Sequence, residues 1–429
     1  MVSPAVFLLK LAEKFGDVIQ FKLGPFKVVL ISNPAIIKEI LIGQVKLFPK
    51  SKRDTDILSK AVGNGIVTAD QQTHKLLRKV AQPSFMQRRI VNYQTIFEQY
   101  AQDCINDLNH ADTINIAKEM ERLSLQITCK TLFGLDKDDL KRTTEVSNAI
   151  NELHALISKD FDGIINLPAW FPSPLNLRFK RARKVIDDIV EEIILNRRSM
   201  PFEDHGDLLS SFLEATDEAG HPLTNENIKD HLISYFIVGH ETTSNTLLWS
   251  WYCLAKFEDQ AEKVYQEVRN MKTVASINLS DYPKTHTFIK EVLRFFPPVW
   301  LIGARRVAEH VAINGYQFNK KDKVFISPFV VHRLDAHFNN ASIFDASRWE
   351  DDVVSYEKGA YIPFGAGHRN CIGQHFALQE ILTILVTITQ SARFEFIDKS
   401  TDPIHIHARA SLSNYGGMMM KINKKFATA

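Results

Sequence analysis

Residues 224 to 257 constrain this chain most. Thr224 can cap a helix through its hydroxyl, Glu226 sits in the first turn where a carboxylate is favoured, and apolar residues run on through "LLWSWYCLAKF". The spacing predicts one helix of roughly 30 residues, ~45 Å at 1.5 Å per residue. The rest of the fold has to pack around it. Its middle reads "VGHETTSNT", which puts a glycine, a histidine, a carboxylate and three threonines inside an apolar stretch. Ser and Thr are indifferent helix formers, so this segment is either a polar stripe or a site.

The remaining chain is organised around that helix. Residues 17 to 45 alternate short apolar runs and turns, which predicts a hairpin followed by a helix at "NPAIIKEIL". From Gln71 to Phe257 the pattern is mostly helical, broken by prolines in "LPAWFPSPLN". Short strands are expected at "VAINGYQF" and "DKVFIS", and a helix at "QHFALQEILTILVTI". No repeat, low-complexity segment or linker interrupts the 429 residues. The expected fold class is mainly α with small β-sheets, built as a single domain over 1–429.

Bulk properties narrow the function. With 45% hydrophobic and 24% charged residues the chain can bury a sizeable core. A net charge of +2 gives no electrostatic ground for a nucleic-acid partner. The four cysteines, Cys104, Cys129, Cys253 and Cys371, are far apart and form no C-x-x-C pair, so a disulfide framework is not expected. No stretch reaches the ~18 apolar residues that span a bilayer. A cytoplasmic protein without a membrane anchor is the expectation.

Cys371 lies in "FGAGHRNCIG", a glycine-rich turn. Three readings compete. One is a buried structural cysteine, the usual case. A second is zinc bound by His368, Cys371 and His375, although structural zinc wants four ligands and no fourth is near in sequence. The third is a thiolate ligand to haem iron. Glycines at 365, 367 and 373 would let backbone N–H groups turn toward sulfur, and the following helix would put its positive end behind it. Arg369 could pair with a haem propionate.

The third reading gains from a resemblance. F-x-x-G-x-R-x-C-x-G, met at Phe364, Gly367, Arg369, Cys371 and Gly373, resembles the haem signature of the cytochrome P450 family. "EVLR" gives the family's E-x-x-R pair at Glu291 and Arg294, with Arg348 of "FDASRW" as the later arginine of a structural triad; Ala346 and Ser347 replace the usual proline and glutamate. "VGHETTS" matches its mid-helix motif at Gly239, Glu241, Thr242 and Thr243, with Val238 in place of a small residue. "HKLLRK" places His74 where the family often has tryptophan, and Arg78 at its arginine. "PPVWLIGAR" ends on Arg305, a further propionate partner in the family. These marks fall in family order along nearly the whole chain.

The resemblance implies a soluble, bacterial-type haem-thiolate monooxygenase with haem b, using O2 as co-substrate. Cys371 would be the axial ligand of the iron. Gly239, Phe364, Gly365 and Gly373 would join His74, Arg78, Arg305 and Arg369 around the haem. Thr242 and Glu241 would manage protons during oxygen activation. Phe236, Val238, Val299 and Leu301 would line an apolar substrate pocket, for a fatty acid, terpenoid or biosynthetic intermediate. Electrons would come from NAD(P)H through a separate ferredoxin or flavodoxin type donor with its reductase, since no fused reductase is expected. Lys79, Arg88 and Arg89 would offer that donor a basic face, or are simply solvated charges. Trp170 and Phe171, in a stretch that resembles the family's lid region, would line an access channel or dip into a membrane surface, or belong to a plain packed loop. A monomer is expected. The alternatives are a ligand-binding haem-thiolate protein without turnover and a peroxygenase or isomerase of the same family.

Overall fold

A computed structural model describes residues 3–424, apart from 109–110, 136–142, 164–165, 217–219, 272–276, 351–355, 399, 401, 403 and 415. The chain gathers into two compact units: Met1–Phe48 with Asn92–Ser124 and Thr242–Ala429, and Pro49–Val91 with Leu125–Glu241.

The first unit holds a four-stranded sheet. Val18–Leu23 and Phe26–Ile31 form a hairpin, turned at Gly24 with φ +57°. Phe26–Ile31 then pairs in parallel with Lys323–Ile326, which pairs antiparallel with Ile302–Arg306. After the hairpin the chain enters a helix at Pro34–Lys38. Its first N–H groups are satisfied by Asn33, whose Oδ1 accepts from Ala35 and Ile36. One face of the sheet and this helix share a core of Val29, Ile31, Ile36, Ile37, Val324 and Ile326. A second tight hairpin, Val311–Ile313 with Tyr316–Phe318, turns at Asn314 and Gly315. Both have positive φ, as an N-G turn of this kind requires.

The second unit is helical. It contains Lys52–Val62, Gln71–Ala81, Thr143–Asp162, Pro174–Arg198 and Leu208–Glu214. Polar bonds fasten these helices together. Lys60 and Asp160 form a buried ion pair at 2.7 Å, Arg197 meets Asp207 at 2.8 Å, and Ser234 Oγ donates to the Val62 carbonyl at 2.8 Å. Gly65 sits so close to Ser234 that a Cβ there would collide with its side chain.

The long helix runs unbroken over Asn225–Lys256, and the Thr224 hydroxyl accepts from the Asn227 N–H at 3.2 Å. The division between the units falls within it, after Glu241. Its C-terminal half is anchored by aromatics. Trp249 stacks on Phe296 with centroids 4.2 Å apart and donates to the Leu412 carbonyl at 2.9 Å. Such stacking adds about 0.5–1.5 kcal/mol beyond area burial. Among the described residues no helix is long and apolar enough to cross a membrane.

Candidate functional site

The cysteine loop belongs to the first unit. Gly365 N–H donates to the Ile362 carbonyl at 3.0 Å, and Cys371 N–H reaches back to Phe364 O at 2.9 Å, closing the turn. Gly365 and Gly367 have φ of +71° and +72°, which favours glycine at both. Gly367 is also needed for space, because a Cβ there would strike the Leu41 carbonyl. Gly373 has an ordinary φ of −88° and caps the helix Gln374–Ser391, so backbone twist does not require its glycine. That helix directs its positive end toward the loop it follows.

The cysteines divide sharply. Cys104, Cys129 and Cys253 are buried, while Cys371 is exposed. Burial pushes the Cys129 and Cys253 thiols well above their ordinary range. Cys371 is therefore the accessible soft ligand. His368 and His375 are exposed on either side of it. Among the described residues no three His, Cys, Asp or Glu side chains gather into a metal-binding group, which removes the set a zinc site needs.

Two cations stand close together in this unit. Arg305 is 9% exposed and is the last but one residue of the strand Ile302–Arg306. Burial, and then the charge of Arg369, pull its pKa down to about 10. A buried guanidinium beside a second one calls for an anion, and no described carboxylate pairs with Arg305. Haem, with two propionates and an iron that takes thiolate, fits this donor set.

The helix Pro283–Phe295 carries a dense polar cluster. Arg294 grips Glu291 with two bonds of 2.8 Å. Arg348 Nε donates to the same carboxylate at 3.1 Å, Trp349 Nε1 at 2.9 Å and the Asp345 N–H at 2.8 Å. Arg294 also donates to the carbonyls of His332 at 2.7 Å and Ala341 at 2.8 Å. His332, wholly buried, faces the Arg294 carbonyl through Nδ1 at 3.2 Å and accepts from the Ile362 N–H at Nε2 at 3.0 Å. Burial holds its pKa well below the usual value, so it is neutral. Ile362 leads directly into the cysteine loop, so the cluster positions that loop through one imidazole. Trp349 is the aromatic that follows Arg348 in "FDASRW", whereas sequence spacing gave no sign of Asp345 or His332 as members.

The mid-helix motif coincides with a break in burial. From His231 to Leu254 every residue of the long helix is buried except Val238, Gly239, Glu241 and Thr242. Thr246 Oγ1 donates to the Thr242 carbonyl at 2.8 Å, and Ser250 repeats this with Thr246 at 2.8 Å. Such back-bonds tend to bend helices slightly. A Cβ on Gly239 would meet Thr128 at 3.4 Å, an ordinary contact. Glu241 Oε2 lies 3.0 Å from His154 Nε2, a partner that no sequence motif announced.

The other candidate residues fall as follows. His74 is buried and Arg78 half-buried on Gln71–Ala81. Phe236 is fully buried and packs on Phe133 at 5.5 Å. Val299 is 39% exposed and Leu301 partly so. Arg89 is engaged by Asp204 at 2.7 Å, while Lys79 and Arg88 are exposed. Trp170 is 75% exposed and touches Phe171.

These features define a class: a mainly helical protein with an accessible cysteine at a helix N-terminus, a buried arginine beside a second, half-buried one, and an acid–alcohol pair on a long helix. The cytochrome P450 family profile matches residues 3–421. Cyclooctat-9-en-7-ol 5-monooxygenase of Streptomyces melanosporofaciens is 28% identical, over 93% of this chain and 86% of its own. Pentalenene oxygenase of Streptomyces avermitilis is 26% identical, over 92% and 87%. A retinoic acid-bound cyanobacterial CYP120A1 superposes with a TM-score of 0.84 at 23% identity, covering 97% of this chain and 93% of that one. The chain belongs to the cytochrome P450 family. It is an enzyme of the P450 monooxygenase class.

Proposed function

We propose that the whole chain, 1–429, acts as one haem domain that oxygenates an apolar, terpenoid-type small molecule. The observation that carries this is the exposed Cys371 together with the buried Arg305 beside Arg369. When bound, haem supplies the oxygen-activating chemistry. The chain's own residues hold it and manage what reaches it. Cys371 gives the thiolate, with Phe364, Gly365, Gly367 and Gly373 shaping its loop. Arg305 and Arg369, with His74 and Arg78, receive the carboxylates. Thr242 holds a proton at its hydroxyl, and Glu241 replaces it. Gly239 leaves the helix backbone open to close approach.

Substrate class is read from the relatives and from the side chains. The relatives are named for an unsaturated alcohol and for a hydrocarbon, pentalenene. Val238, Val299 and Leu301 offer apolar surface and no charge, which suits such molecules. Val238, larger than the family's usual residue there, narrows the space. Phe236, packed on Phe133, adds a further apolar side chain on the same helix as Val238. Electrons reach the protein from NAD(P)H by way of a ferredoxin or flavodoxin type donor and its reductase, with Lys79 and Arg88 available to attract an acidic partner. The working unit is a monomer.

The test is isotopic. The enzyme is supplied with a surrogate ferredoxin and reductase, a panel of polycyclic alkenes and labelled O2. One labelled oxygen atom in a product of any panel member is expected. Conversion without label would favour an isomerase, and conversion with peroxide alone a peroxygenase.

A further inference from the structure

The helix Thr143–Asp162 brings His154 to the mid-helix acid, with Nε2 3.0 Å from Glu241 Oε2. Their side chains are 15% and 21% exposed, so the pair is mostly but not wholly buried. An arginine in this place would keep a permanent charge on the acid. An imidazole does not, because it gains and loses its proton near neutral pH.

The surrounding charges have partners of their own. On the same helix Glu152 is bonded by Arg178 at 2.6 Å, and Asp160 by Lys60 at 2.7 Å. Arg183, on the packed helix Pro174–Arg198, is taken by Asp230 at 2.8 Å. His240, next to Glu241, turns Nδ1 to the Phe236 carbonyl at 2.9 Å.

We infer that His154 is the proton-entry residue of this enzyme, feeding Glu241 from solvent. The imidazolium gives its Nε2 proton to the Glu241 carboxylate: one N–H bond breaks, one O–H bond forms, and no electrons move. Glu241 passes the proton toward Thr242 and returns to carboxylate, and the imidazole takes a new proton from water. This rests on the proton-delivery role proposed for Glu241. Two consequences follow from the chemistry. Proton supply falls as rising pH empties the imidazolium. Glutamine at 154 can still bond Glu241 but cannot feed it.

The experiment uses the haem-loaded enzyme with a turned-over substrate. Coupling, the product formed per electron pair, is measured from about pH 6 to about pH 9, the range that brackets imidazole titration, for wild type, His154→Gln, His154→Ala and Glu241→Gln. Wild-type coupling should fall with pH. His154→Gln should be low and flat, by on the order of tenfold at the acid end, less than the ~10²–10⁴ of a full general acid because water can substitute in part. A second readout does not depend on turnover. Histidine-labelled protein is titrated by NMR, with the His154 resonance assigned by its loss in His154→Gln. Glu241→Gln should move that titration to lower pH. Wild-type coupling and pH profile in His154→Gln would overturn the inference, as would a His154 titration indifferent to Glu241→Gln. Unchanged coupling in Glu241→Gln itself would overturn the parent assignment, and this inference with it.

Discussion

Glu291 and Glu241 are both helix carboxylates bonded by nitrogen, and their surroundings differ in kind. Glu291 is wholly buried, and its two oxygens receive Arg294, Arg348, Trp349 and a backbone N–H. Its cationic partners never lose their charge. Glu241 is 21% exposed and meets an imidazole, whose charge is conditional. A saturated carboxylate with permanent partners has nowhere to send a proton and serves as scaffold. A carboxylate at the edge of solvent with a titrating partner can be loaded and emptied. On the roles proposed above, the same side chain does different work according to what faces it. Glu380 is a third case, on the helix after Cys371. It is buried, accepts from Ser124 Oγ at 3.0 Å, has one oxygen without a partner among the described residues, and has its pKa pushed up to about 8.

The comparison breaks most visibly at Arg294. Arg294→Ala strands the Glu291 charge in the interior, at a cost of about 3–5 kcal/mol. A large drop in the urea midpoint is expected, with poor haem retention because the His332 link to the cysteine loop loosens. A near-wild-type midpoint would mean that the cluster is not the scaffold. A smaller effect sharpens the third case. Glu380 is held neutral, with a folded pKa of about 8 against an ordinary 4.5. Its contribution is fully present below about 4.5 and is lost as pH rises through about 8. Glu380→Gln, which keeps an acceptor for Ser124 and cannot ionise, should therefore match wild type near pH 5. Near pH 8 it should be more stable by ~1–3 kcal/mol. Chemical denaturation at both pH values checks this, and a gain at acid pH instead would reverse the sign.

Legibility in the sequence followed contiguity. The cysteine loop could be read because its glycines, arginine and cysteine lie within ten residues of one another. The long helix declared its length, the Asn314–Gly315 turn its hairpin, and the family motifs their order. Partners distant in sequence carried no such signal. His154 is one histidine on an amphipathic helix, and nothing in its neighbours marks it as facing Glu241. His332 looks like an ordinary core residue until the chain closes on Glu291. Helical period places Phe236 on the inner face but does not separate cavity wall from core, and the structure seats it against Phe133. The grouping of the chain into two units depends on long-range packing, which local pattern does not encode.

The central claim is that Cys371 binds haem iron as a thiolate. The direct test is the carbon monoxide difference spectrum of the reduced, haem-loaded protein, with Cys371→Ala and Cys104→Ala beside it. The account predicts the long-wavelength band that gives the family its name in wild type and in Cys104→Ala, and its loss in Cys371→Ala. The band surviving in Cys371→Ala, or missing from haem-loaded wild type, would contradict it.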